Sequence, residues 1–92
     1  MKRIPTTGTA PVFTTATGPL VSVNPGMPIS DALEHVSCLL WSIEDLAASI
    51  AENGLQGSEM FAIKYLTETA KGLVDASIHG LLKPENDAGG KP

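Results

Sequence analysis

The sequence predicts an all-α fold: an antiparallel helical hairpin that dimerises into a four-helix bundle. Two segments of about twenty residues repeat apolar residues at three- and four-residue steps, and a short GLQG loop separates them. The chain has 92 residues. Its polar ends leave roughly fifty to sixty residues for a core, near the size at which a single chain becomes marginally stable. We therefore expect self-association.

Composition divides the chain into three parts. Residues 1–19 are rich in Thr, Pro and Gly and show no sustained period, which predicts a mobile arm. Residues 20–83 form the predicted domain, and the polar stretch 84–92 is predicted to be a disordered tail. At the start of the domain, LVSV favours one short strand before a turn at 24–26. It would pair with Val12 and Phe13, pair with a second copy, or lie as an extended strap over the helices.

The first predicted helix spans about 30–53. Ser30 is a suitable N-cap, Asp31 places a negative charge in the first turn, and Gly54 suits a left-handed C-terminal cap. Its apolar arc of about 140° is wider than one neighbouring helix covers. The packing face of this helix comprises Leu33, Val36, Leu40, Ile43, Ala47 and Ile50.

The second predicted helix spans about 58–80, with Ser58 as N-cap. Gly80 and Pro84 are both stop signals, so the helix is expected to end at about Ile78 or at about Lys83. Its apolar arc covers roughly 220°, and an apolar surface of that width indicates an interface. Small residues along it would permit close backbone approach at one contact. We expect the core and dimer interface to comprise Leu33, Val36, Leu40, Ile43, Ile50, Ile63, Leu66, Leu73, Val74 and Ile78.

Charge and composition exclude several classes of function. The net charge is −4, the pI is near 4.9 and the single arginine is Arg3, so the basic stripe of a nucleic-acid or membrane-surface binder is missing. No segment has the apolar length of a membrane span, and MKRI is not followed by the apolar region of a signal peptide. One cysteine, Cys38, cannot form a disulfide framework. The cytoplasm is the expected location.

Candidate chemical sites are few. Asp31 with His35, and Asp75 with His79, are spaced one helical turn apart, but neither pair has an evident third ligand, so surface ion pairs are favoured over a metal site. Cys38 lies among acidic residues, which disfavour the reactive thiolate. The glycines form neither a P-loop nor a dinucleotide fingerprint. We expect no cofactor and no enzymatic activity.

A binding surface for another protein is predicted on the outer side of the first helix. Its acidic residues Glu34, Glu44, Asp45 and Glu52 occur without any Lys or Arg. Trp41 lies beyond the edge of the apolar arc, on this side. Either the extended N-terminal segment or a partner hairpin half-covers it, or it is an exposed aromatic anchor of the kind that dominates interfaces. The predicted function is a non-enzymatic interaction or regulatory module that acts as a homodimer and binds another protein.

Two other classes remain open at this point. A ribbon-helix-helix DNA-binding regulator has the same order of strand, helix and helix, with strands that pair between subunits. Here the strand segment has no Arg, Lys, Asn or Gln pattern able to contact base edges, and the first helix is long for that fold. A small-ligand or metal-binding helical bundle is the other alternative.

The stretches VNPGMPISDALEHVSCLL and FAIKYLTETAKGLVD resemble a family of small bacterial proteins known as a domain of unknown function. The resemblance covers about residues 20–78, and it implies a helical hairpin with no assigned reaction, cofactor or catalytic residue. The matching positions are Val23, Gly26, Pro28, Asp31, Ala32, Leu33, Ser37, Leu39, Leu40, Tyr65, Leu66, Glu68, Ala70, Lys71, Leu73 and Val74.

Overall fold

The computed structural model describes residues 4–82, which fold as a β-hairpin followed by a helical hairpin. The predicted helical hairpin is confirmed. The all-α class is wrong, because the N-terminal part forms a two-stranded antiparallel sheet. The elements are β1 (Ala10–Thr15), β2 (Gly18–Val23), α1 (Ile29–Asn53) and α2 (Gly57–Leu82).

The β-hairpin forms because two short β-branched runs flank a tight turn. Val12 pairs with Val21, and Ala10 pairs with Val23. At the turn, the Thr15 hydroxyl donates to the carbonyl of Gly18 at 2.7 Å. Of the three arrangements considered for the strand at 20–23, pairing with the Val12 segment is therefore confirmed. β1 lies within the stretch 1–19 that composition predicts to be a mobile arm.

The helix starts differ from prediction, while the end of α1 agrees with it. Pro28 occupies the N-cap position of α1 with ψ 133° and no side-chain cap, so Ser30 lies inside the helix. Its ring presets the backbone angle φ that the first turn needs. At the other end Gly54 has φ 85°, and its N–H donates to the Ile50 carbonyl at 2.8 Å. α1 therefore ends at Asn53 as predicted, and Gly54 has the positive φ that glycine permits, although its ψ of 162° is not that of a left-handed helical cap.

α2 begins one residue early, and it passes Gly80, the first of its two predicted stop signals, to reach Leu82. The N–H of Gln56 donates to the Glu59 carboxylate at 3.0 Å, while the Glu59 N–H donates to the Gln56 carbonyl at 3.1 Å. The bond to the Glu59 carboxylate is one half of a capping box, while the Glu59 N–H bonds a backbone carbonyl instead of a cap side chain. Gln56 rather than Ser58 thus precedes the first helical residue.

Residues 4–9, called the strap below, connect the start of the chain to both helices. Thr7 is only 3% exposed, and its N–H and carbonyl bond to Met27 and Gly26 at 2.8 and 2.9 Å. Its hydroxyl donates to the Asn24 carbonyl at 2.9 Å. The Gly8 N–H donates to a carbonyl of α2, that of Ala76, at 2.8 Å. Backbone hydrogen bonds to Gly26, Met27 and Ala76 therefore hold the strap in place.

The core lies between the β-hairpin, the C-terminal half of α2 and the first turns of α1. It is made of small side chains, and among the described residues no large side chain is fully buried. The Cα positions span 58 × 31 × 14 Å, so the molecule is a thin slab. The buried cluster comprises Ala10, Val12, Val23, Ala32, Val36, Ala70, Leu73 and Ala76.

Candidate interaction surfaces

The helix pair has one covered face and one open face. Gly72, Ala76 and Gly80 of α2 lie on the covered face, under the β-hairpin and the strap. At about 100° per residue, the opposite side of α2 carries Thr67 and Ile78. Within residues 4–82 both strands approach α2 more closely than α1, which they meet only through the core at its first turns. The slab therefore exposes one helical face along its length.

The open face contains an apolar groove between the two helices, of about 260 Å³. Leu40 is 55% exposed at its centre, and Leu33 and Ile78, both 47% exposed, continue it by helical spacing. The only charged group in the lining is Lys71, which forms an ion pair with Asp75 at 2.8 Å. The groove is lined by Val36, Leu40, Ile43, Thr67, Ala70, Lys71 and Val74.

The predicted core residues separate into buried and exposed sets. Val36 and Leu73 are buried, whereas Leu33, Leu40 and Ile78 are exposed. α1 faces α2 with the flank that carries Leu39, since Leu39 packs against the core while Leu40 is exposed. The remaining predicted core residues are half-buried, and they are Ile43, Ile50, Ile63, Leu66 and Val74.

The acidic side chains of α1 lie on its outer edge beside Trp41. Trp41 is 67% exposed, and the strap packs on α2 rather than over the indole ring. Cys38 is a free, exposed cysteine. We call the outer edge of α1 the acidic edge. It consists of Glu34, Trp41, Glu44, Asp45 and Glu52, all of them exposed.

A second, aromatic groove of about 210 Å³ lies where the tip of the β-hairpin meets the start of α2, lined by Phe13, Leu20, Phe61, Lys64 and Tyr65. Phe13 has φ 57°, a left-handed conformation that is unusual for a bulky residue. This backbone turns its ring onto Tyr65, with ring centroids 4.9 Å apart and planes 22° apart. Phe13 falls within the segment predicted to be a mobile arm, and no local sequence signal indicates this stacking.

The predicted carboxylate and imidazole pairs are not brought together as metal sites. Asp75 bonds to Lys71, and His79 Nδ1 lies 3.2 Å from the Thr9 carbonyl oxygen. In the described part of the chain, no three His, Cys, Asp or Glu side chains are grouped as a metal would require. Over the same residues, no helix has the length and apolar character needed to cross a membrane.

Comparison with known proteins identifies the family. The family model described as "Protein of unknown function (DUF3077)" matches residues 6–80, from the strap to the last turn of α2. No curated protein and no solved structure matches the chain significantly. The matched span includes the β-hairpin, both helices and the open face. The chain therefore belongs to the DUF3077 family of proteins of unknown function.

Proposed function

We propose that the protein is a non-enzymatic interaction module that forms a homodimer through its open face and binds another protein through the acidic edge. The observation that carries this proposal is the open face itself. It is an apolar groove flanked by Leu33, Leu40 and Ile78, each about half exposed to water. Apolar surface arranged continuously along two helices is characteristic of an interface.

The energetics of the slab favour this proposal. Its core contains mainly alanine and valine side chains, which bury little apolar area per residue. A fully buried large aliphatic side chain contributes roughly 1.5 to 3 kcal/mol. Covering the exposed halves of Leu33, Leu40 and Ile78 in both copies would therefore contribute several kcal/mol, of order 5, before the entropy cost of association. That gain would link folding of each copy to dimer formation.

The acidic edge supports the second half of the proposal. Trp41 projects from α1 at 67% exposure, about 100° around the helix from Leu40, so it lies outside the centre of the open face. Exposed tryptophan is the residue type most enriched among interface hot spots. The surrounding carboxylates would select a partner with a basic surface, since complementary charge steers association.

Self-association is tested by sedimentation equilibrium on the full chain at micromolar concentrations. We expect a dimer for the wild type and a monomer for Leu40→Glu, which places a charge in the centre of the groove. Leu20→Glu is the matched control, because Leu20 is also exposed but lies on β2, away from the open face. A monomeric wild type, or equal weakening by both variants, would contradict the proposal.

Partner binding is tested separately with Trp41→Ala. We expect affinity capture from cell extract to lose a specific basic partner with this variant while the dimer mass is unchanged. The indole fluorescence of the free dimer reports on Trp41 alone, since it is the only tryptophan. We expect strong quenching by acrylamide, a neutral quencher that the surrounding carboxylates do not repel, in the absence of the partner. A quencher-protected indole in the free dimer would show that another part of the protein covers Trp41.

The two other classes have less support. β1 and β2 pair within one chain, unlike the intersubunit ribbon of a ribbon-helix-helix protein, and the strands carry Thr and Ser but no Arg, Lys, Asn or Gln. For a metal-binding bundle, the described residues offer no ligand set. No observation therefore favours either class over an interaction module.

A further inference from the structure

We propose that two copies pack open face to open face, with α1 of each copy antiparallel to α2 of the other. This inference rests on the proposed function, because it specifies the geometry of the same homodimer. It identifies a second copy of this chain as the occupant of the open-face groove. The area, the charge distribution and the positions of single residues each support this arrangement.

The open face has the area that a stable dimer requires. α1 and α2 contain 25 and 26 residues, so each is about 38 Å long. With helix axes 8–10 Å apart and each helix about 10 Å across, the pair is roughly 18 Å wide. Over a length of about 38 Å it presents a face of roughly 700 Å². Stable interfaces bury about 800 Å² on each partner. The β-hairpin and the strap lie on the other face, so a second slab can approach along the whole length.

Charge distinguishes between the two ways of stacking the faces. Either α1 packs on α1 and α2 on α2, or α1 packs on α2 of the second copy. α1 carries five acidic residues and no Lys or Arg, while the lysines of the described chain, Lys64 and Lys71, are both on α2. Stacking α1 on α1 would place two acidic helices side by side, which is unfavourable. Stacking α1 on α2 places the acids beside a helix of mixed charge, in which Lys64 and Lys71 form ion pairs with Glu68 and Asp75, and so lowers the repulsion.

Glu44 is the residue on which this choice has the largest effect. It lies about 40° around α1 from Leu40, at the outer margin of the open face. Equal counting from the loop between Asn53 and Gly57 places Ile43 level with Thr67, and a two-fold axis parallel to the helices keeps every residue at its own height. Glu44 of one copy would then lie level with Thr67 of the second copy, between its Lys64 and its Lys71.

The same relation between heights predicts which residues meet at the centre. α1 ends at Asn53 and α2 begins at Gly57, so equal counting from the loop places Val36, Leu40 and Ile43 level with Val74, Ala70 and Thr67. Across the interface, Leu40 would therefore lie level with Ala70 of the second copy, between its Thr67 and its Val74. Leu33, one turn before Val36, would meet Ile78, one turn after Val74.

Disulfide cross-linking between two differently tagged chains tests the arrangement. Each chain carries Cys38→Ser and one new cysteine. We expect rapid cross-links between Leu33→Cys and Ile78→Cys chains, because these positions lie level with each other across the interface. The mismatched combination of Leu33→Cys with Thr67→Cys is the control and should remain largely uncrosslinked.

A charge-reversal pair provides an independent test. Glu44→Lys should weaken the dimer roughly fivefold at low salt, because it replaces attraction to the lysines by repulsion in both copies. Asp45→Lys makes the same charge change about 100° further around the helix and should leave the dissociation constant unchanged. The difference between the two variants should disappear in 1 M salt, where the screening length is about 3 Å.

The outcomes separate this inference from the proposed function. A wild-type monomer would overturn both. A dimer in which Leu33→Cys, Leu40→Cys or Ala47→Cys cross-links to an identical chain would show α1 packed on α1, which would overturn the arrangement and leave self-association in place. Equal effects of Glu44→Lys and Asp45→Lys on the dimer would also contradict the arrangement.

Discussion

Replacing Gly80 by alanine perturbs the contact between the strap and α2. A Cβ atom at this position would lie 1.8 Å from the Thr6 carbonyl oxygen and 2.8 Å from the Thr6 carbonyl carbon. Ordinary van der Waals contact begins at 3.4 Å, so the strap would have to retreat by about 1.6 Å. The obstructing atoms belong to the backbone, and a change of side-chain rotamer cannot relieve the overlap.

The retreat has an energetic consequence that can be estimated. It would break the 2.8 Å bond from the Gly8 N–H to the Ala76 carbonyl, a bond worth about 0.5 to 1.5 kcal/mol. Overpacking in a filled site adds about 1 to 3 kcal/mol. The higher helix propensity of alanine returns up to about 1 kcal/mol. We expect a net loss of about 1 to 3 kcal/mol in the free energy of unfolding.

Thermal unfolding followed by circular dichroism, at one fixed protein concentration, measures this loss. For a domain of this size, each kcal/mol lowers Tm by roughly 4–8 °C. Gly57→Ala is the matched control in the same helix, since nothing lies within 4 Å of a Cβ added there. We expect that control to leave Tm unchanged or slightly raised. If Gly80→Ala behaved like Gly57→Ala, the strap would not lie against α2 as described.

Three further substitutions should give graded effects in the same assay. Gly72→Ala should cost less than Gly80→Ala, because its Cβ would lie 2.5 Å from one methyl group of Val12, whereas at Gly80 it would lie 1.8 Å from a backbone oxygen; a larger effect than that of Gly80→Ala would contradict this order. Tyr65→Ala should lower the free energy of unfolding by about 1 to 2 kcal/mol, because it removes the ring stacked on Phe13. Tyr65→Phe keeps the ring and should change that free energy by no more than about 0.5 kcal/mol. Equal losses in the two variants would assign the effect to the hydroxyl group. Lys71→Ala should change stability by less than about 0.5 kcal/mol, because its ion pair is largely exposed, and a larger loss would indicate a buried role.

The sequence predicted features that depend on local chemistry. The helical hairpin follows from hydrophobic periodicity, and the end of α1 follows from Gly54, because a left-handed residue after a helix is a local requirement. A strand at Val12 and Phe13 was only one of three arrangements left open, since the stability of β1 comes from pairing with β2 and packing on α2 rather than from its own composition. Gly80 was one of two predicted stop signals, and the helix passes it for a related reason. A glycine near a helix end signals a stop locally, yet here it makes room for the strap.

The candidate surfaces likewise divide into those that local chemistry predicts and those that depend on long-range contacts. Trp41 and its acidic neighbours could be assigned to the outer side of α1, because helical geometry alone fixes directions around a helix. The aromatic groove could not be predicted, because it requires the left-handed backbone of Phe13 and its long-range contact with Tyr65. The sequence also did not determine which side of α1 faces α2. The apolar arc of α1 is wide enough to permit either Leu39 or Leu40 at the centre of the contact.

The proposed dimer accounts for the width of the apolar arc of α1. Within one chain α1 uses only the flank of its arc that contains Leu39, which leaves Leu33 and Leu40 about half exposed. α2 meets α1 on one side and the β-hairpin on another, and its open side still carries Ile78. Each helix thus has one apolar stripe more than the contacts of a single chain cover. If α1 packs on α2 of a second copy, the uncovered stripes of both helices are buried together, and the 14 Å slab becomes the outer half of a four-helix bundle.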